Sequence, residues 1–298
     1  MNFLLSDAVV EGCQFLTNGS TNRNAYAMAM RADSLPRLKN NTATGNVHDA
    51  IGVFGFNFNR SGTWVKDNLP YTIVEDLYIN GGKTMNLEPG VTAQFQDPDT
   101  ALIVDGTLAA QGTSIAPIRF TSDDAQKAPG QWEAIIFRST TTNSILENCI
   151  VEYGAAAGLS DEIIRFENAT ATIRNCTIKN SRKDGMRFQF SDPVIENCQF
   201  LNNGNTNNGF AMAMRVDSLP RLRDNTASGN GRDAIAVFDF NFGRSGTWVK
   251  DNFPYTLLND VYIGAGSKLT IEPAVVVQFQ NPDTALVVDG TLTAQGTV

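Results

Sequence analysis

Brief apolar runs recur along the chain at residues 27–30, 51–54, 77–79, 102–104, 135–137, 163–166 and 186–190, about one every 22 to 33 residues. Asn, Gly, Asp, Pro and Thr clusters such as NNTATGN and EPG separate them. Runs this short, rich in β-branched and aromatic residues and bounded by turn formers, predict short strands, and no window sustains the 3.6-residue period of an ordinary helix. Strand alternation then assigns faces. In Tyr26-Ala-Met-Ala-Met-Arg31 the water-seeking Arg31 places Ala27 and Ala29 outside and Tyr26, Met28 and Met30 inside. In Phe54-Gly-Phe-Asn-Phe58 the three Phe share one face, and Phe238-Asp-Phe-Asn-Phe242 repeats the pattern.

That repetition is general. Residues 26–113 and 210–297 align without a gap at an offset of 184, and 60 of the 88 positions are identical. Upstream, Cys13 matches Cys198 at an offset of 185. The chain therefore reads as one continuous solenoid over 1–298, with a first super-repeat at 1–185 and a partial second at 186–298. The opening MNFLLSDAVVEGCQFL aligns with MRFQFSDPVIENCQFL at 186–201, so it reads as folded repeat and not as a targeting segment.

A smaller motif, Asn-Cys-x-[Ile/Phe], occurs at Asn148-Cys149, Asn175-Cys176 and Asn197-Cys198, with Gly12-Cys13 as a counterpart. The spacings of 27 and 22 residues place one Cys per coil on one wall. With segments such as LTIEPAVVVQF, ALVVDGTLTAQGT, PIRFTSDD and ATIRNCTIKNS, the chain resembles the right-handed parallel β-helix proteins, the pectate-lyase-like superfold, and within it the repeats of large bacterial surface proteins. The resemblance implies an all-β, right-handed, single-stranded parallel β-helix of about eleven coils, a rod of about 50 Å at 4.8 Å per coil. It specifies fold far better than function.

Charge narrows the partners. Lys and Arg number 23 against 31 Asp and Glu, a net charge of −8, which is the opposite of a nucleic-acid binder. No run reaches the 18 or more apolar residues of a membrane span. The four cysteines lack the paired spacing of a thiolate metal site, so buried thiols stacked like with like are expected. The single histidine, His48, corresponds to Arg232 in the second copy, which suits a solvated turn. Carboxylates that could act as a sugar-cleaving pair are Asp97, Asp99 and Asp105 in DPDTALIVD and Asp123 with Asp124 in FTSDD. In the second copy Asp97 becomes Asn281, while Asp283 and Asp289 remain.

The resemblance brings signatures of pectin-degrading enzymes, Asn-Thr-Asp, Gly-His-Gly, Arg-Ile-Lys and Arg-x-Pro-x-x-Arg, and none is present. Arg31-Ala-Asp-Ser-Leu-Pro-Arg37 has the wrong spacing for the last. Calcium at the Asp97/Asp99 or Asp123/Asp124 turns is the one ion the composition offers, with solvated turns as the default. Trp64, Trp132 and Trp248 are expected to cover coil edges beside Pro70/Pro254 and Tyr71/Tyr255, not to stack on sugars. Arg31, Asp33 and Arg37, repeated as Arg215, Asp217 and Arg221, read as surface ion pairs. The 29 Asn suit coil corners, and sequons stand at Asn18, Asn40, Asn168 and Asn175.

No catalytic, cofactor-binding or metal-ligating set is therefore expected. The expected role is a non-enzymatic structural or adhesive segment of an extracellular or cell-surface stalk, adhesin or filament. Neither MNFLLSDAV nor TLTAQGTV reads as a polar cap, so its ends are expected to pair with further β-helix units, and carbohydrate or another cell-surface molecule is the conceivable ligand. The rival expectation is a polysaccharide-active enzyme or carbohydrate-binding module.

Overall fold

The computed structural model describes residues 1–18 and 23–296, which form 37 strands and no helix. Every strand pairing is parallel. Three strands make one turn, so the rod has about thirteen turns and is about 60 Å long at the usual strand spacing. The expected eleven coils were too few. Strands of two residues such as Asn57–Phe58 and tight corners shorten the turns of the duplicated region below the spacing of its apolar runs.

The first wall is a ten-stranded sheet running from Asn2–Phe3 through Tyr26–Arg31 and His48–Phe54 to Thr226–Ser228. The second, also ten-stranded, runs from Asn57–Phe58 to Val277–Phe279, and the third, seven-stranded, from Gly62–Trp64 to Arg221–Arg223. One continuous core fills the interior. Like residues stack in it, as in the register Val104, Phe137, Phe166, Phe188, Met214 on the second wall. Nine of the seventeen described non-glycine residues with positive φ are Asn, which tolerates that geometry at the corners.

Three facing expectations fail, the first at Ala27, which was expected outside and lies buried in the core. A bulge between Tyr26 and Met28 turns the Tyr26 ring to the outer face, against Gly52, while Met28 and Met30 enter the core as expected. Of the three Phe at 54–58 only Phe58 is in the core. The corner at Gly55, with φ of 92°, breaks the alternation and leaves Phe56 half exposed to solvent.

The second copy does not sit above the first. Tyr26–Arg31 lies on the first wall, but its equivalent Phe210–Arg215 lies on the second; Arg37–Lys39 follows the first wall, but its equivalent Arg221–Arg223 lies on the third. Equivalent strands are twenty-two apart in chain order, which is seven turns of three and one strand over.

Each copy also contains a seam. Among the described residues, the second- and third-wall ladders stop at Arg37–Lys39 and Thr42–Thr44 and resume at Asn57–Phe58 and Gly62–Trp64, while the first wall continues through. Leu35 lies over Gly62, its Cδ1 2.0 Å from where a Cβ would stand, and Leu219 lies over Gly246 at the same distance. An Asn–Asp bridge takes over the missing ladder bonds. Buried Asn41 accepts from the Cys13 N–H (3.0 Å) and donates to Val10 O (2.8 Å) and Asp67 Oδ2 (2.7 Å), and its own N–H reaches Asp67 Oδ1 (3.0 Å). Asn225 repeats this set with Cys198, Ile195 and Asp251 at 2.9, 2.8, 2.7 and 3.0 Å. Backbone groups that lose ladder partners must find others when buried, and one amide joins three turns.

Candidate functional site on the second wall

Outward positions of the second wall form a row, in register: Ile103, Ile136, Arg165, Arg187, Ala213, Ala236. At both ends the row is apolar and covered, by a small cluster with Ala101 and Ala134 on one side and one with Phe210 and Ala234 on the other. Between them the strands Glu162–Glu167 and Asp184–Gln189 carry charge instead, and a groove of about 460 Å³ opens there, lined by Asp161, Glu162, Arg165, Glu167, Arg187 and Gln189.

Glu162 and Asp184 stand opposite each other in register, and both are buried, with 1% and 8% exposure. Glu162 accepts a hydrogen bond from Arg165 Nε, and Arg165 Nη2 also donates to Ser160 Oγ (2.8 Å). Asp184 Oδ1 accepts from the Phe210 N–H (2.8 Å). Arg187 is 3.5 Å from Asp161 and 3.8 Å from Glu162, beyond good hydrogen-bond geometry, and its Nε has no partner. Its guanidinium lies over the Phe238 ring at 4.3 Å. Burial pushes the Asp184 carboxyl up to about 7, partly offset by the Phe210 N–H, and burial raises Glu162 despite Arg165. The groove thus offers a buried carboxyl, Glu162, whose burial favours the protonated form, and a guanidinium with unspent donors, with Asp184 in register beside Glu162.

A pH prediction arises here. Because the folded carboxyl of Asp184 holds its proton to higher pH than the unfolded one, stability falls as pH rises from about 4 through 7 and then levels off. Asp184→Asn keeps an oxygen for the Phe210 N–H and removes the charge. It is expected to stabilise the protein above pH 7 by about 1–3 kcal/mol and to make no difference near pH 4. Urea unfolding of both proteins at pH 4 and pH 8 checks this; equal stability at pH 8 contradicts it.

The residues singled out from sequence fall elsewhere. Asp97 is bound by Arg23 (2.5 Å), Asp99 is exposed, and Asp105 lies 3.8 Å from Arg138. Asp123 sits 3.8 Å from His48 Nδ1, and its carboxyl is raised to about 6 by burial, opposed chiefly by His48 and Lys127. Asp124 is exposed. His48 is not the solvated turn residue expected. It opens a strand, stacks on Tyr26 at 4.6 Å and bonds Arg23 O through Nε2 (2.6 Å), because the bulge at Tyr26 sets that ring beside it. Among the described residues no three His, Cys, Asp or Glu side chains are grouped so as to hold a metal ion.

The tryptophans are all buried. Trp64 and Trp248 stack on Tyr71 and Tyr255 at 4.7 and 5.2 Å, and Trp132 on Phe95 at 4.1 Å. Cys149, Cys176 and Cys198 are buried free thiols on adjoining turns. Arg31 and Arg215 lie 4.0 and 3.6 Å from Asp33 and Asp217, whereas Arg37 and Arg221 are exposed one wall further on.

Sequence reasoning missed Glu162, Arg165, Asp184 and Arg187. Their signal was an acid followed three residues later by Arg, in Glu162-Ile-Ile-Arg165 and again in Asp184-Gly-Met-Arg187, 22 residues and one turn apart.

No curated protein and no solved structure matches the chain significantly. Residues 131–253, which include the groove, match the family model described as right handed beta helix region. With parallel ladders and three walls around one core among the described residues, the chain folds as a right-handed parallel β-helix, and over residues 131–253 its sequence is similar to the family of that description.

Proposed function

We propose that the chain is a structural or adhesive segment of an extracellular β-helical stalk or filament, that its usefulness lies in length and stiffness, and that it has no enzymatic role. The observation that carries this reading is what the duplication retains. Both copies keep the packing hardware, namely the Asn–Asp bridges, the Trp–Tyr stacks and the Leu wedged over Gly. Stability in such a solenoid accumulates turn by turn, so added units lengthen the rod without a new fold.

Further units stack on its ends in this proposal. Leu102 and Leu108 are buried, whereas their equivalents Leu286 and Leu292 are partly exposed, and Phe279 is 49% exposed where Phe95 is 0%. Electron microscopy and light scattering over a concentration series are expected to reveal rods that join end to end. A monomer that stays monodisperse at every concentration overturns the stacking.

The groove favours a second reading, a carbohydrate-binding or carbohydrate-active β-helix, since buried carboxyls beside an unspent guanidinium suit a polyhydroxylated ligand. Binding and cleavage of uronic-acid polymers, with and without calcium, separates the two. Activity abolished by Glu162→Gln or Asp184→Asn replaces the structural proposal; no binding or cleavage leaves it standing.

A further inference from the structure

We infer that Cys149, Cys176 and Cys198 form an oxidisable column with Cys176 as the shared partner, so that a small-molecule disulfide such as oxidised glutathione links two adjoining turns through one bond at a time.

Strand register supplies the geometry. Ile150, Thr177 and Gln199 pair in register across three turns of the first wall, which sets the Cys preceding each of them in one column. Adjacent members stand about 4.8 Å apart, inside the span of about 4.4–6.8 Å between Cα atoms that a disulfide bridges, whereas Cys149 and Cys198 are about 9.6 Å apart. The sulfurs lean toward the preceding turn. Cys176 Sγ accepts from the Cys149 N–H (3.4 Å) and reaches Leu146 O (3.5 Å), and Cys198 Sγ reaches Ile173 O (3.6 Å). The Cys176 thiol is within hydrogen-bond reach of both neighbouring thiols. The column ends in register at Ile118 on one side and beside Asn225 on the other. Cys13, the counterpart of Cys198, has Asn41 beside it and no cysteine.

The reaction is two successive exchanges. One thiolate of the column attacks the small disulfide, forms a mixed disulfide and expels one small thiolate. The neighbouring thiolate then attacks the protein sulfur of that bond and expels the second. Two protein thiols lose two protons and two electrons, and the small disulfide is reduced to two thiols. A shared middle member allows two alternative bonds, Cys149–Cys176 and Cys176–Cys198, and the thiol left over can attack Cys176 and displace its bonded neighbour. Burial pushes the Cys176 thiol up, and the Cys176 side chain together with burial pushes Cys198 up, so the closed turns hold them protonated and exchange waits on local opening. An extracellular location, as proposed above, is where such a bond persists; the column itself rests on register alone.

The test uses the full-length chain carrying Cys13→Ser, which leaves only the three column thiols. The folded protein is incubated with oxidised glutathione, separated from it, and unfolded in the presence of an alkylating reagent without reductant. One alkylated thiol is expected where the untreated protein has three, with no glutathione retained in the intact mass and Cys176 in every disulfide found by peptide mapping. Adding Cys149→Ser or Cys198→Ser is expected to leave one disulfide, and adding Cys176→Ser to leave none. Cys176→Ala repeats the last arm, and thermal unfolding verifies that each variant folds. Three alkylated thiols after incubation, glutathione retained in place of an internal bond, or a disulfide formed without Cys176 overturns the inference. Failure of the rods to join end to end bears on the stalk proposal and leaves this result untouched.

Discussion

Replacing Asn225 by alanine is expected to cost about 3–5 kcal/mol, several times the effect of an ordinary surface change. The side chain serves three turns, and its loss strands the Cys198 N–H, the Ile195 carbonyl and one oxygen of the buried Asp251. Each buried backbone group left unpaired costs about 1–3 kcal/mol. Burial already raises the Asp251 carboxyl, and the hydrogen bonds from Asn225 do most to hold it down, so their removal deepens the penalty. Asn252, exposed and bonded to Asn225 O (2.7 Å), supplies the comparison: Asn252→Ala is expected to cost at most about 1 kcal/mol. Asn41→Ala is expected to match Asn225→Ala, because the same four contacts recur there. Denaturant unfolding measures all three, and a loss below about 1 kcal/mol for Asn225→Ala means that the bridge does not hold the seam.

Phe166→Ala is expected to cost about 3–5 kcal/mol through the cavity it leaves. The ring is fully buried between Phe137 (5.0 Å, nearly parallel) and Phe188 (5.5 Å, tilted), in the middle of the second-wall column. No corner loop can collapse into the space, since backbone ladders fix the turns above and below. In a solenoid the loss falls on one turn and its neighbours, so amide hydrogen exchange is expected to quicken around residues 135–138 and 184–189 and to stay unchanged near residues 84–95. Uniform acceleration along the chain would refute the local account.

The solenoid was legible because its determinants are local. Alternation, turn formers and the 184-residue offset each report a short stretch of chain, and like-with-like stacking makes those stretches agree. The facing of Tyr26 and Phe56 was not legible, because it depends on a bulge and on a glycine corner that periodicity does not encode. The groove escaped for a different reason. Glu162 and Asp184 meet through register between turns, and a carboxylate at an outward strand position reads as solvated until the covering loops are placed. His48 and Asp123, 75 residues apart in sequence, likewise meet only through winding. The Asn–Asp bridges were hidden among 29 asparagines, most of which suit corners equally well.

The seams bear on how such a rod deforms under load. Among the described residues, backbone bonding crosses the first seam on the first wall alone and the second seam on the second wall alone. A beam joined along one side flexes most readily away from that side. The two seams therefore have their compliant planes rotated with respect to one another, and the rod gains a universal joint between stretches that are each rigid.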